Sequence, residues 1–237
     1  MCGNNARERK RRKAAGKRAA KEKGMITTYI KNTNWYRVLL MFAGNVFLSM
    51  GVAIFKLSSL GNDPFNGMVM GLSDCFGMAY ANFLVIINLL IFAVEIIFGR
   101  HLIGWGTIVN AFINGYMATF FYNAFSAAIP ATQMWQRVLC VLIGVVVCSF
   151  GLSMYQGSDV GVAPYDALSL IMNKRLHIPY FWCRMSNDVV CALICFFSGG
   201  IIGLGTIVCA FGLGPVIHFF DDHFTNKILQ KPIFAKK

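Results

Sequence analysis

Six apolar stretches, at 38–57, 79–98, 102–121, 138–155, 180–197 and 201–220, govern what this chain can fold into. Each is 18 to 20 residues long. At about 1.5 Å per residue, a helix of that length matches a hydrocarbon core of about 30 Å. His218 apart, the only ionisable acids and bases inside these stretches are Lys56, Glu95, Arg184 and Asp188. Charged residues make up 14% of the 237, against about 25% in a soluble domain. Ten of the 22 Lys and Arg crowd between Arg7 and Lys23. The body is therefore too apolar for a water-soluble core and needs lipid as its solvent.

The formal charge of +12 does not point to nucleic acid, because the excess sits in one tail. A basic tail ahead of a first span is what the positive-inside rule expects of a cytoplasmic N-terminus. The expected partners are the lipid bilayer and, for the leader, anionic lipid headgroups; a homo-oligomer stays open. Of eight cysteines, Cys140, Cys148, Cys183, Cys191, Cys195 and Cys209 lie in apolar stretches, and no CxxC pair occurs. They read as small packing residues, with no disulfide framework, metal or cofactor expected.

The second half repeats the first. Arg37, Gly44 and Gly51 match Arg137, Gly144 and Gly151, and Gly61, Pro64 and Phe65 match Gly161, Pro164 and Tyr165, all at a spacing of 100 residues. Gly104-Trp105-Gly106-Thr107 matches Gly203-Leu204-Gly205-Thr206 at a spacing of 99. The expected organisation is a basic cytoplasmic leader (1–34), a first membrane repeat (35–122), a connecting loop (123–136), a second repeat (137–220) and a cytoplasmic tail (221–237).

After the first long stretch of each repeat the chain breaks, and a short apolar piece follows, at 65–76 and 164–172. Pieces this short are typical of re-entrant segments. If they do not cross, each half crosses three times and the halves are inverted. Arg100, His101, Lys174, Arg175 and the basic C-terminal tail then all lie on the cytoplasmic side, as the positive-inside rule prefers. Eight spans with parallel halves would put Arg100 and His101 outside. The expected fold is thus all-α: six transmembrane helices plus two short half-helices, in two inverted repeats. Pro64 and Pro164 suit the first position of the short helices, Asp63 suits the N-cap, and Asp166 falls in the first turn.

The segments Leu60-Gly61-Asn62-Asp63-Pro64-Phe65, Gly104-Trp105-Gly106-Thr107-Ile108 and Gly161-Val162-Ala163-Pro164-Tyr165-Asp166 together resemble the YczE/YyaS/YitT family of bacterial membrane proteins. The resemblance covers about residues 36–220. The first half departs from the pattern at Asn66, where the second keeps Asp166, and the basic leader lies outside it. The resemblance implies the bacterial cytoplasmic membrane and, by association with the family, transport or export.

Paired broken helices from two repeats build the solute sites of many secondary transporters. The candidate site is therefore Asp63, Pro64, Asn66, Pro164 and Asp166, with the alternative that the breaks are tight turns and the carboxylates only cap helices. Ionisable groups inside spans add Arg184 and Asp188, one helical turn apart and able to pair. Asn88, the counterpart of Asp188, joins them. Glu95 reads as reaching the interface near Arg100. Gly104, Gly106, Thr107, Gly203, Gly205 and Thr206 read as helix-packing positions. No HExxH, GxSxG or Walker lysine loop appears, so no enzyme is expected. The expected function is transport of a small solute. The alternative is a non-transporting membrane scaffold or accessory protein, and a lipid-acting membrane enzyme is a third, weaker option.

Overall fold

Asn34 starts the first helix by accepting a hydrogen bond from Tyr36 N at 3.0 Å, which satisfies one of the open donors of the first turn. The computed structural model describes residues 34–128 and 132–230. The basic leader up to residue 33 and the end of the expected tail, 231–237, lie outside the described residues. Among the described residues the chain is helical, with no strand. The helices are α1 (Trp35–Ser58), α2 (Pro64–Cys75), α3 (Tyr80–Phe98), α4 (Trp105–Phe112), α5 (Asn114–Ala128), α6 (Met134–Gly157), α7 (Pro164–Leu176), α8 (Tyr180–Phe197), α9 (Leu204–Phe220) and α10 (Asn226–Leu229). A short 3-10 turn, Arg100–Leu102, precedes α4, and a π-turn, Asp221–Thr225, joins α9 to α10.

Four helical runs are long and apolar enough to cross a membrane: α1, α3, α6 and the continuous run Leu204–Leu229. The other two expected spans are less regular. The 102–121 stretch divides at Ile113 into α4 and α5, where Ser49 Oγ donates to Asn114 Oδ1 at 2.5 Å. The 180–197 stretch forms α8, with Arg184 and Asp188 inside it. Two boundaries differ from expectation. α7 runs 13 residues to Leu176, because Lys174 and Arg175 complement the negative end of the helix dipole instead of ending the helix. The expected tail stays helical to Leu229, because Ser153 on α6 donates to Asp221 at 2.5 Å and bonds Thr225 at 2.6 Å.

The centre of the molecule is the crossing of α1 and α6. A Cβ on Gly44 would lie 2.8 Å from Gly151 O, and one on Gly51 would lie 2.7 Å from Cys148 Cβ. Phe55 packs its ring on Gly144. Residue numbers rise along one helix as they fall along the other, so the two run antiparallel at backbone contact. Arg37, at the start of α1, donates to Ser158 O just past the end of α6 (3.2 Å). Around this pair, α2 packs on α8 and α7 on α3, while α5 flanks α1 and α9 flanks α6. Large apolar side chains face outward, among them Ile97 on α3, Phe197 on α8 and Leu142 on α6. In water that much exposed apolar surface would drive association; against acyl chains it is ordinary.

Candidate functional site

Each break is seated on the opposite half of the chain. Gly61 and Gly161 have φ of +103° and +117°, a region open to glycine and strained for other residues. Both turns are clamped by the Gly-x-Gly-Thr segments. Gly106 N donates to Val160 O (3.0 Å), and Gly205 N donates to Leu60 O (2.8 Å). Thr107 Oγ1 donates to Val162 O at 2.7 Å. A Cβ on Gly106 would sit 2.5 Å from Gly161 O, and one on Gly205 would sit 2.5 Å from Gly61 O. What lies nearest these two glycines is therefore the break of the opposite half.

With the breaks held there, the short helices begin face to face. Phe65 and Tyr165, the second residues of α2 and α7, stack with ring centroids 4.4 Å apart. Asp63 caps α2: its carboxylate accepts from Asn66 N (3.1 Å) and from Asn66 Nδ2 (2.8 Å). Tyr80 OH donates to Asn66 Oδ1 at 2.5 Å. In the second half Ala163 has no capping side chain. Instead its N–H donates to Tyr155 OH, and Asp166 takes Arg184 in an ion pair. Gln156 Nε2 also donates to Asp166, at 3.2 Å. Arg184 lies 3.6 Å from Asp188 with its guanidinium over the Tyr165 ring, 4.9 Å from the centroid. Tyr165 OH donates to Asp188.

A cavity of about 60 Å³ lies between the two helix starts. Asp63, Asn88, Asp166 and Arg184 line it, with Asn110 and Asn114. Leu48, Leu84, Leu152 and Leu213 make its apolar walls. Of the residues singled out from sequence, four reach the cavity. Asn66 and Asp188 stand one hydrogen bond behind it, and Pro64 and Pro164 fix where the helices begin. The expected Arg184–Asp188 pairing is present, but Asp166 is the closer partner. Glu95 does not reach an interface near Arg100. It is fully buried and, among the described residues, neither carboxylate oxygen has a hydrogen-bond partner, while Arg100 Nε donates to Ile96 O at 2.8 Å.

Sequence reasoning missed Tyr155, Tyr165, Gln156 and an amide chain through the first half. Asn110 Nδ2 donates to Asn45 Oδ1 at 3.1 Å, and Ser49 holds Asn114. The available signal was asparagine recurring inside apolar stretches, at 45, 88, 110 and 114, since an amide in such a stretch must find partners inside the protein.

Three relatives are similar to this chain over most of its length. An uncharacterized protein of Haemophilus influenzae is 27% identical over 184 residues, covering 77% of this chain and 81% of the relative. The uncharacterized membrane protein YczE of Bacillus subtilis is 27% identical over 180 residues, 75% of this chain and 82% of its own. The uncharacterized protein YyaS of the same organism is 25% identical over 191 residues, 78% and 94% of the two chains. No solved structure matches the chain. With its apolar helices and a relative described as a membrane protein, the chain is a membrane protein. Residues 35–222 match the family of unknown function DUF6198, so the chain belongs to that family, alongside the YczE and YyaS proteins it resembles.

Proposed function

We propose that the protein is a small-solute transporter of the bacterial cytoplasmic membrane, not an enzyme, and that its solute passes through the cavity between α2 and α7. Six spans, made by α1, α3, α4 with α5, α6, α8 and α9, carry two inverted repeats with cytoplasmic termini. The observation that carries the reading is the polar cavity at two facing helix starts, with Asp63 and Asp166 on its wall. Irregular backbone at that depth is tolerable where it lines a cavity, and paired half-helices are the usual seat of a transported solute. The antiparallel α1–α6 crossing and the docking of each break on the opposite half favour the inverted arrangement. The basic leader rests on anionic headgroups in this scheme.

Cys148 lines the cavity and is buried, which makes a test that needs no known solute. In a chain whose other cysteines are replaced, alternating access exposes Cys148 in turn to each aqueous side. A small water-soluble methanethiosulfonate reagent should label it from outside in right-side-out vesicles and from the other side in inverted ones. A scaffold keeps this cavity shut. Absence of labelling from both sides, with a surface cysteine labelled as control, would overturn the transporter reading.

A further inference from the structure

We propose that the cavity binds a single alkali-metal cation, with Asp63 and Asn88 as its ligands. The inference rests on the transporter reading for its use, though not for the binding itself. Two clues oppose each other in the bare sequence: helix N-termini attract anions, and carboxylates attract cations. The structure resolves them. The positive end of α2 is already taken by the Asp63 cap. The first turn of α7 carries Asp166, which is paired with Arg184. Arg184 is itself shared between Asp166 and Asp188, so it is not free to receive an anion. Asp166 and Asp188 thus share one guanidinium, and Asp63, on the same cavity wall, has no cation within 4.0 Å among the described residues.

A second, independent observation comes from Asn88. It is 1% exposed and lines the cavity, and its Oδ1 has no hydrogen-bond partner among the described residues. The orientation of the amide is set by Nδ2, which donates to Ala111 O at 3.3 Å, so the unsatisfied atom is the carbonyl oxygen. An unpartnered buried acceptor is destabilising, and a cation is a group that satisfies it. Carboxylate and amide oxygens are hard donors suited to alkali and alkaline-earth ions, not to soft metals. Asp63 is the one of the three carboxylates that no cation touches among the described residues, and one carboxylate beside a neutral amide matches one positive charge. About 60 Å³ takes an ion with a water or two and excludes an organic ammonium such as choline.

The test is thermal unfolding of the full chain in detergent, titrated with NaCl or KCl against choline chloride at constant ionic strength. Sodium or potassium should raise Tm in a saturable way, and choline should not. Asp63→Asn keeps a competent N-cap and should abolish the cation effect while the protein still unfolds cooperatively. Asn88→Ala should weaken the apparent affinity about tenfold, which is about 1.4 kcal/mol. Equal Tm in all three salts, or a cation effect undiminished in Asp63→Asn, would overturn the proposal. So would a shift that follows pH alone, which would mark the site as a proton site. Labelling of Cys148 from both sides without any cation effect would sink this inference and leave the transporter reading standing. The reverse outcome would leave a cation site in a protein that does not transport.

Discussion

Arg184 is held by carboxylates from two helices, Asp166 at the start of α7 and Asp188 one turn along α8. Its side chain also covers the Tyr165 ring. Removing one partner of such a cluster leaves uncompensated buried charge, which costs about 3–5 kcal/mol, whereas removing both charges together costs far less. Arg184→Met should therefore lower Tm sharply, since it strands both Asp166 and Asp188. Adding Asp166→Asn to it should recover a substantial part of the loss. Thermal unfolding of the two single variants and the double in one detergent closes the cycle. If the double variant loses the sum of the singles, the two groups are not coupled and the ion pair contributes nothing as a pair.

At the scale of the elements, the breaks are the parts that define the fold. Gly161 combines a φ of +117° with the backbone of Gly104 at 2.6 Å from any added Cβ. Gly161→Ala should thus destabilise the protein by more than the roughly 0.4–1 kcal/mol that the same change contributes favourably at a compatible site. It should also loosen the start of α4. Gly212→Ala, in α9, is the control, because the nearest atom that a Cβ there meets among the described residues is Val208 Cγ1, at an ordinary 3.6 Å; it should leave Tm unchanged or slightly raised. Equal behaviour of the two variants would remove the claim that the breaks are seated by close backbone contact. The breaks themselves were legible in the sequence, because Gly, Asp and Pro punctuate a chain through local chemistry: Asp63 caps the helix that Pro64 begins, as expected. Partners across helices were not legible. Spacing along one helix suggests Arg184 with Asp188, and nothing local places Asp166 nearer, since that contact depends on how α7 meets α8. The amides at 45, 110 and 114 escaped for a related reason. A lone Asn in an apolar stretch has no periodicity, and its partner is found only when α1 and α4–α5 come together. Glu95 misled in the opposite direction: its place near the end of an apolar stretch suggests an interface, but neighbouring helices cover it.

At the scale of the whole molecule, the pairing of elements carries the topology. α1 and α6 cross antiparallel through matching glycines, and the breaks exchange seats, 60–61 on 203–206 and 160–162 on 102–107. Antiparallel contact of α1 and α6 is what the proposed inverted halves require, whereas parallel repeats would place the two helices side by side in the same sense. The two arrangements differ at two exposed links. Arg100 lies between α3 and α4, and Ile201, 60% exposed, lies between α8 and α9. In inverted halves these corresponding links face opposite sides of the membrane, with Arg100 cytoplasmic under the positive-inside rule. In parallel halves they share one side. Arg100→Cys and Ile201→Cys, each the sole accessible thiol of its chain, should therefore respond oppositely to a membrane-impermeant maleimide applied to intact cells. Ile201→Cys should label at once and Arg100→Cys only after permeabilisation. Labelling of both from the outside would establish parallel halves and overturn the inverted arrangement on which the proposed transport path depends.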